Sequence, residues 1–176
     1  MKLNLLILFI VILHHDLIAQ QSVSSFVYDF ETSKTMPNWS GFGLEYEIGE
    51  NPQIDRINQS LLIGSIDKTN GKTWDWAAVV IDLPFYMDLS KNKVLSMKIL
   101  AITRKSIVNF RLENSKNEFP SSEIMTAVTR LNEWEQMIFN FQDVNTAYQY
   151  DRLTIFIDYG NYESHVYYID DIKLGP

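Results

Sequence analysis

Tyr167-Tyr168-Ile169-Asp170-Asp171-Ile172-Lys173-Leu174, close to the C-terminus, is a β-forming run that carries two adjacent carboxylates. Side chains alternate along a strand, so a regular strand here puts Tyr168, Asp170, Ile172 and Leu174 on one face. Asp170 then shares the side of residues that belong in a core, where an unpaired ionised carboxylate is too costly to persist. The acids therefore demand a partner: a cation, a basic side chain, or backbone and hydroxyl donors.

Runs of the same kind precede this one at 25–30, 44–48, 60–66, 77–83, 94–100, 106–112, 122–129, 135–141 and 153–159. Polar loops such as Asn114-Ser115-Lys116-Asn117 separate them, and no window of helical length sustains a helical period. Many evenly spaced strands with short connections predict an all-β fold, an antiparallel β-sandwich of the jelly-roll type. Val108, Phe110 and Leu112 fall on one side of their strand and Asn109, Arg111 and Glu113 on the other. Leu153, Ile155 and Ile157 likewise oppose Thr154, Phe156 and Asp158. One sheet thus carries a polar row, which is either a solvated face or, if strand order brings Arg111, Glu113, Glu123 and Asp158 together, a concave binding surface.

The chain has 176 residues. It opens with Met1-Lys2-Leu3-Asn4, an apolar run over 5–13, and a small residue at Ala19, the pattern of a secretory signal peptide spanning 1–19. The run is short of the roughly 20 apolar residues that cross a bilayer, so no membrane insertion is expected. Residues 20–176 suffice for a single domain, secreted or periplasmic. No cysteine is present, so neither disulfides nor a thiol-linked lipid can hold an exported chain together or to a surface. The net charge of −7 and the lack of a basic cluster argue against nucleic acid and anionic membranes as partners. Aromatics reach 13%, which leaves rings available for stacking on a ligand.

Chemistry is constrained by what is scarce. His165 is the only histidine outside the leader, so a His/Cys zinc site, a Ser/His/Asp triad and a Cys/His pair are all disfavoured. Carboxylates remain, and Glu113, Glu123 or Asp158 could contribute to a glycosidase pair, though the abundance of acids makes some pairing inevitable. A hard cation suits them better, since Ca²⁺ gathers six to eight oxygens from segments that meet. Asp29 and Glu31 share one face of the first strand, and pairing of that strand with the last would converge them on Asp170; the alternative is edge charges that discourage aggregation. Trp74 and Trp76 share a side, Trp76 being expected in the core and Trp74 exposed as a stacking ring; Trp134 is expected in the core. Asn38-Trp39-Ser40 and Asn58-Gln59-Ser60 match the glycosylation sequon, which matters only in a glycosylating host.

A wider pattern follows from these pieces. Asp29-Phe30-Glu31, Lys68-Thr69, Trp76-Ala77, Asp88-Leu89-Ser90, Met97-Lys98, Leu112-Glu113-Asn114, Glu133-Trp134-Glu135, Phe139-Asn140-Phe141, Phe156 through Asn161, and Tyr168 through Ile172 resemble the carbohydrate-binding-module-like jelly rolls of bacterial polysaccharide-degrading systems, which are galactose-binding-domain-like sandwiches. The resemblance implies a non-catalytic module that binds polysaccharide or oligosaccharide, often attached to a glycoside hydrolase, with a structural calcium ion between the first and last strands. It nominates Asp170 and Glu31, then Asp29 and Asp171, as ligands of that ion. It nominates Trp74, Lys98, Arg111, Glu113, Glu123, Asp158 and Asn161 as sugar contacts. It also leaves room for a glycoside hydrolase or another protein bound in trans. The two other functions open on this fold are a structural or protein-interaction sandwich and a small carboxylate-dependent glycosidase or lyase.

Overall fold

A computed structural model describes residues 20–31, 38–69, 76–102, 105–161 and 165–175; residues 1–19, where a signal peptide is expected, and Trp74 lie outside them. Two sheets face each other. The first holds β3 (Asn38–Phe42), β6 (Ala78–Asp82), β9 (Ile107–Glu113), β10 (Ser122–Ala127) and β12 (Arg152–Ile157), in the order β10-β9-β12-β6-β3. The second holds β4 (Glu45–Glu50), β5 (Leu62–Asp67), β8 (Val94–Ala101), β11 (Trp134–Asn140) and β13 (Val166–Leu174), in the order β11-β8-β13-β5-β4, with β2 (Phe26–Tyr28) pairing on β13. All these pairings are antiparallel, while β1 (Ser22–Val23) and β7 (Tyr86–Met87) form a short parallel ladder. The predicted all-β jelly roll is the observed one.

Alternation builds the core. Val108, Phe110 and Leu112 of β9, Leu153, Ile155 and Ile157 of β12, and Val79 and Ile81 of β6 point inward from the first sheet. Leu95, Met97 and Ile99 of β8 and Met137 and Phe139 of β11 meet them from the second, with Phe110 and Phe139 ring centroids 4.7 Å apart. Each enclosed side chain of this size stabilises the fold by about 1.5–3 kcal/mol relative to exposure.

The last strand departs from simple alternation. Asp170 pairs with Lys98 and Lys173 with Ser96, so Asp171 and Ile172 oppose one residue, Met97, across a β-bulge. Asp171 sits there with φ 45°, in the left-handed region that Asp tolerates better than most residues. The bulge reverses the phase of the strand. Tyr167 and Ile169 before it, and Ile172 and Leu174 after it, all enter the main core. Asp170 is thereby placed on the opposite face from Ile172 and Leu174, which corrects the regular alternation expected from the sequence.

That opposite face is covered as well. The segment 51–61 folds over the outside of the second sheet and encloses a smaller apolar cluster of Ile63, Leu100 and Trp134, with Ile57, Ile102 and Tyr168 packed against it. Trp134 is fully buried as expected, but in this second cluster, where its Nε1–H donates to the Gln53 carbonyl at 2.7 Å. Strand β13 therefore separates two apolar compartments.

Candidate ligand-binding face

The outward side of the first sheet is built by the residues that alternate away from the core. Register sets them in rows across the strands. Thr154 lies between Val80 and Arg111, and Arg111 opposite Glu123; one row further, Phe156 lies between Ala78 and Asn109, and Asn109 opposite Met125. At the other end Arg152 lies between Asp82 and Glu113. Of Arg111, Glu113, Glu123 and Asp158, which the sequence allowed either on a solvated face or on a shared concave surface, register brings the first three together.

Their hydrogen bonds form a closed network. Arg111 donates through Nε to Glu123 Oε2 at 2.8 Å, its Nη2 lies 2.7 Å from the same oxygen, and its Nη1 lies 3.8 Å from Glu113 Oε1. Asn109 Nδ2 also donates to Glu123 Oε2, at 3.2 Å, and the Thr154 hydroxyl donates to Glu113 Oε2. Arg152 Nε donates to Asp82 Oδ1 at 2.6 Å. The guanidinium of Arg111 holds the Glu123 carboxyl below its ordinary value, with the Asn109 amide assisting. Bonding to Asp82 raises the pKa of Arg152, so its guanidinium stays charged.

Aromatic rings adjoin the network. The Arg111 guanidinium lies 4.7 Å from the centroid of Phe156, a cation–π contact that fixes the arginine's plane. From Phe156 the rings continue to Phe42 at 6.3 Å and from there to Trp76 at 5.2 Å, and in the other direction to Tyr159 at 5.6 Å. Phe156 is covered, but Trp76 is 47% and Tyr159 37% exposed. Trp76 is thus an open ring rather than the core residue expected from its sequence neighbours. Phe156 was legible as an apolar residue at an outward position between Thr154 and Asp158; Phe42 was missed because β3 contains Ser40 and Gly41 and reads poorly as a strand.

Asp158 and Asn161 occupy the end of the same sheet. Asp158 has φ 59°, is buried, and accepts a hydrogen bond from Asn161 Nδ2 at 2.6 Å. The buried ammonium of Lys68 donates to the carbonyls of Ile157, Asp158 and Asn161 at 3.2–3.3 Å and anchors this turn. A cavity of about 360 Å³ opens beside it, between the turn and the adjoining ends of β9 and β10. Lys98, the remaining described candidate, is on the other sheet and takes no part in this face.

The acids nominated for a cation are distributed differently. The first and last strands do pair, Tyr28 with Ile172. Phe30 then turns left-handed (φ 57°), and Glu31 reaches away to accept the N–H groups of Leu61 and Leu62, the latter at 2.9 Å. Asp29 Oδ1 accepts the Glu31 N–H at 3.2 Å. Asp171 Oδ2 lies 2.5 Å from Lys98 Nζ. Asp170 is fully enclosed, one oxygen accepting the Asp171 N–H at 2.8 Å and the other, Oδ2, without a hydrogen-bond partner. Burial pushes its pKa up to about 6, against the moderating influence of the neighbouring Ser60 side chain, the Asp171 N–H and the Asn58 amide. Among the described residues no three acidic or imidazole side chains come together, and the cation beside Asp171 is an ammonium. Asp29, Glu31, Asp170 and Asp171 thus do not converge on one point.

No protein-family model and no curated protein matches this sequence. Solved structures do. The family 11 carbohydrate-binding module from Clostridium thermocellum, in complex with a β-1,3-1,4-mixed-linked tetrasaccharide, superposes with a TM-score of 0.58 at 16% identity, over 84% of this chain and 94% of that one. The CBM22-2 xylan-binding domain from Paenibacillus barcinonensis Xyn10C gives 0.59 at 13% identity, over 86% and 99%. An exo-β-agarase gives 0.66 at 9% identity, over 85% of this chain and 24% of the enzyme. The chain has the jelly-roll β-sandwich fold of the carbohydrate-binding modules.

Proposed function

We propose that this protein is an exported module that binds polysaccharide without cleaving it, along the outward face of the first sheet. The observation that carries the reading is the row Trp76, Phe42, Phe156 and Tyr159 beside the Arg111, Glu113, Glu123 and Asn109 network. Exposed rings offer faces to the C–H surfaces of pyranoses, and ordered donors and acceptors next to them meet hydroxyls without further loss of side-chain entropy. The row runs across the strands. Their separation of about 4.8 Å is close to the length of one pyranose in an extended chain, so successive sugars would lie over successive strands. Cleavage is disfavoured because a glycosidase needs a carboxyl with a raised pKa as general acid, whereas Arg111 lowers that of Glu123. Export rests on the leader-like sequence at 1–19.

Affinity electrophoresis and calorimetry with mixed-linkage β-glucan, xylan and agar test the proposal. Binding to at least one is expected, reduced tenfold or more by Trp76→Ala or Arg111→Ala, with Trp76→Ala leaving the melting temperature within about 2 °C. Absence of binding to a wider glycan panel, or binding indifferent to both substitutions, would overturn it.

A further inference from the structure

Beneath segment 51–61, on the side of the second sheet away from the proposed glycan face, Lys98, Asn58, Asp170 and Asp171 form an arrangement that ion pairing alone does not explain. Lys98 and Asp170 are register partners on adjacent strands. Lys98 Nζ lies 3.5 Å from Asn58 Oδ1, and Asn58 and Asp170 are both 0% exposed. Asn58 Nδ2 and Asp170 Oδ2 make no hydrogen bond of regular geometry there, although the Asn58 amide and the Ser60 side chain are near enough to Asp170 to favour its charged form. A primary amine, a side-chain amide and a carboxyl are thus brought together in an enclosure where imperfect hydrogen bonds are costly.

We propose that Lys98 and Asn58 become joined by an intramolecular amide bond, with Asp170 and Asp171 as the proton carriers. Lys98 Nζ attacks Asn58 Cγ; the Nζ–Cγ bond forms, the Cγ–Nδ2 bond breaks, and Nδ2 leaves as ammonia. Of the three ammonium protons, one stays on the new amide nitrogen. A second passes to Asp171, whose Oδ2 is 2.5 Å from Nζ and whose side chain is open enough to release it to solvent. The third reaches Nδ2 through Asp170. Nothing is oxidised or reduced, and no co-reactant is consumed.

The surroundings suit this chemistry. The Ser60 N–H donates to Asn58 Oδ1 at 3.2 Å, so it polarises the carbonyl and supports the developing oxyanion. Asp55 Oδ1 accepts the Asn58 N–H at 2.9 Å, and the Asp55 N–H returns a bond to the Asn58 carbonyl at 2.9 Å, so the asparagine backbone is clamped in place. Leu100 and Tyr168, two residues along the same faces from Lys98 and Asp170, belong to the apolar cluster with Ile57, Ile63 and Trp134. That enclosure excludes water from the acyl centre. The product removes Nδ2 from the interior and leaves an amide N–H for Asp170. A chain without cysteine would thereby gain a covalent tie between segment 51–61 and strand β8.

Intact-mass measurement of the purified full chain, denatured, decides the matter. The expected mass is one ammonia below that of the linear sequence, and protease digestion should yield a branched peptide joining the segments that contain Asn58 and Lys98. Lys98→Arg and Asp170→Asn should each restore the linear mass and the two separate peptides. The full linear mass in the parent protein would overturn the proposal and leave an ion pair only. So would ammonia loss confined to the N-terminal peptide, as cyclisation of an N-terminal Gln20 would give.

Discussion

Asp170 concentrates at one residue what is unusual about this protein. Its carboxyl titrates near 6 because it is enclosed, so in the native state it holds a proton that the unfolded chain, with a carboxyl near 3.8, has already lost. A raised pKa contributes stability that is complete below the unfolded value and disappears as pH rises through the folded one. Stability from this residue should therefore decline between about pH 4 and pH 6, by on the order of 2 kcal/mol. Denaturant unfolding of the parent and of Asp170→Asn at several pH values isolates the effect: the difference between the two should be steepest in that window and flat above it. Glu123 acts in the opposite sense, since its lowered pKa contributes stability that is lost only as pH falls through its folded value. A difference between the two proteins that is independent of pH would contradict the enclosure of Asp170.

At the scale of elements, short irregular pieces hold the binding face in shape. The turn after β12 ends in a left-handed Asp158 and is held by the Lys68 ammonium, delivered from the end of β5 in the opposite sheet. Lys68→Met would leave three carbonyls without that donor and should destabilise the protein by about 2–4 kcal/mol, read from the urea midpoint at unchanged m-value. Glycan affinity should fall with it, because Tyr159 rides on the same turn. Sequence alternation located every long strand because each of 94–100, 106–112 and 153–159 has one apolar face, and burial of that face is what selects register. It could not locate β3, which owes its place to Trp39 stacking on Tyr46 across the β3–β4 corner and to pairing with β6. Nor could it foresee the bulge at Asp171, since the left-handed backbone there is imposed by fitting one strand between two apolar compartments.

For the whole molecule, the same limits explain which part of the site was legible. Arg111, Glu113 and Glu123 could be grouped because adjacent strands β9 and β10 carry them at outward positions. Lys98 could not be separated from them, because its strand belongs to the other sheet and strand order is not written locally. The acids expected to hold a cation between the chain ends do not cluster among the described residues, so thermal unfolding should be indifferent to chelator and to added Ca²⁺. Any ion bound by the native state alone would raise the melting temperature with concentration, and a chelator-induced drop of several degrees would show that such an ion exists.

The enclosure of Asn58 has a practical consequence for producing the protein. The segment Asn58-Gln59-Ser60 is an acceptor for oligosaccharide transfer in hosts that glycosylate during translocation, before the chain has folded. A glycan attached there would occupy the space that Lys98, Asp170 and Trp134 require, and segment 51–61 could not close. Eukaryotic secretion and bacterial expression are consequently not equivalent sources of this molecule: the first sets modification in competition with folding, and the second leaves folding unopposed.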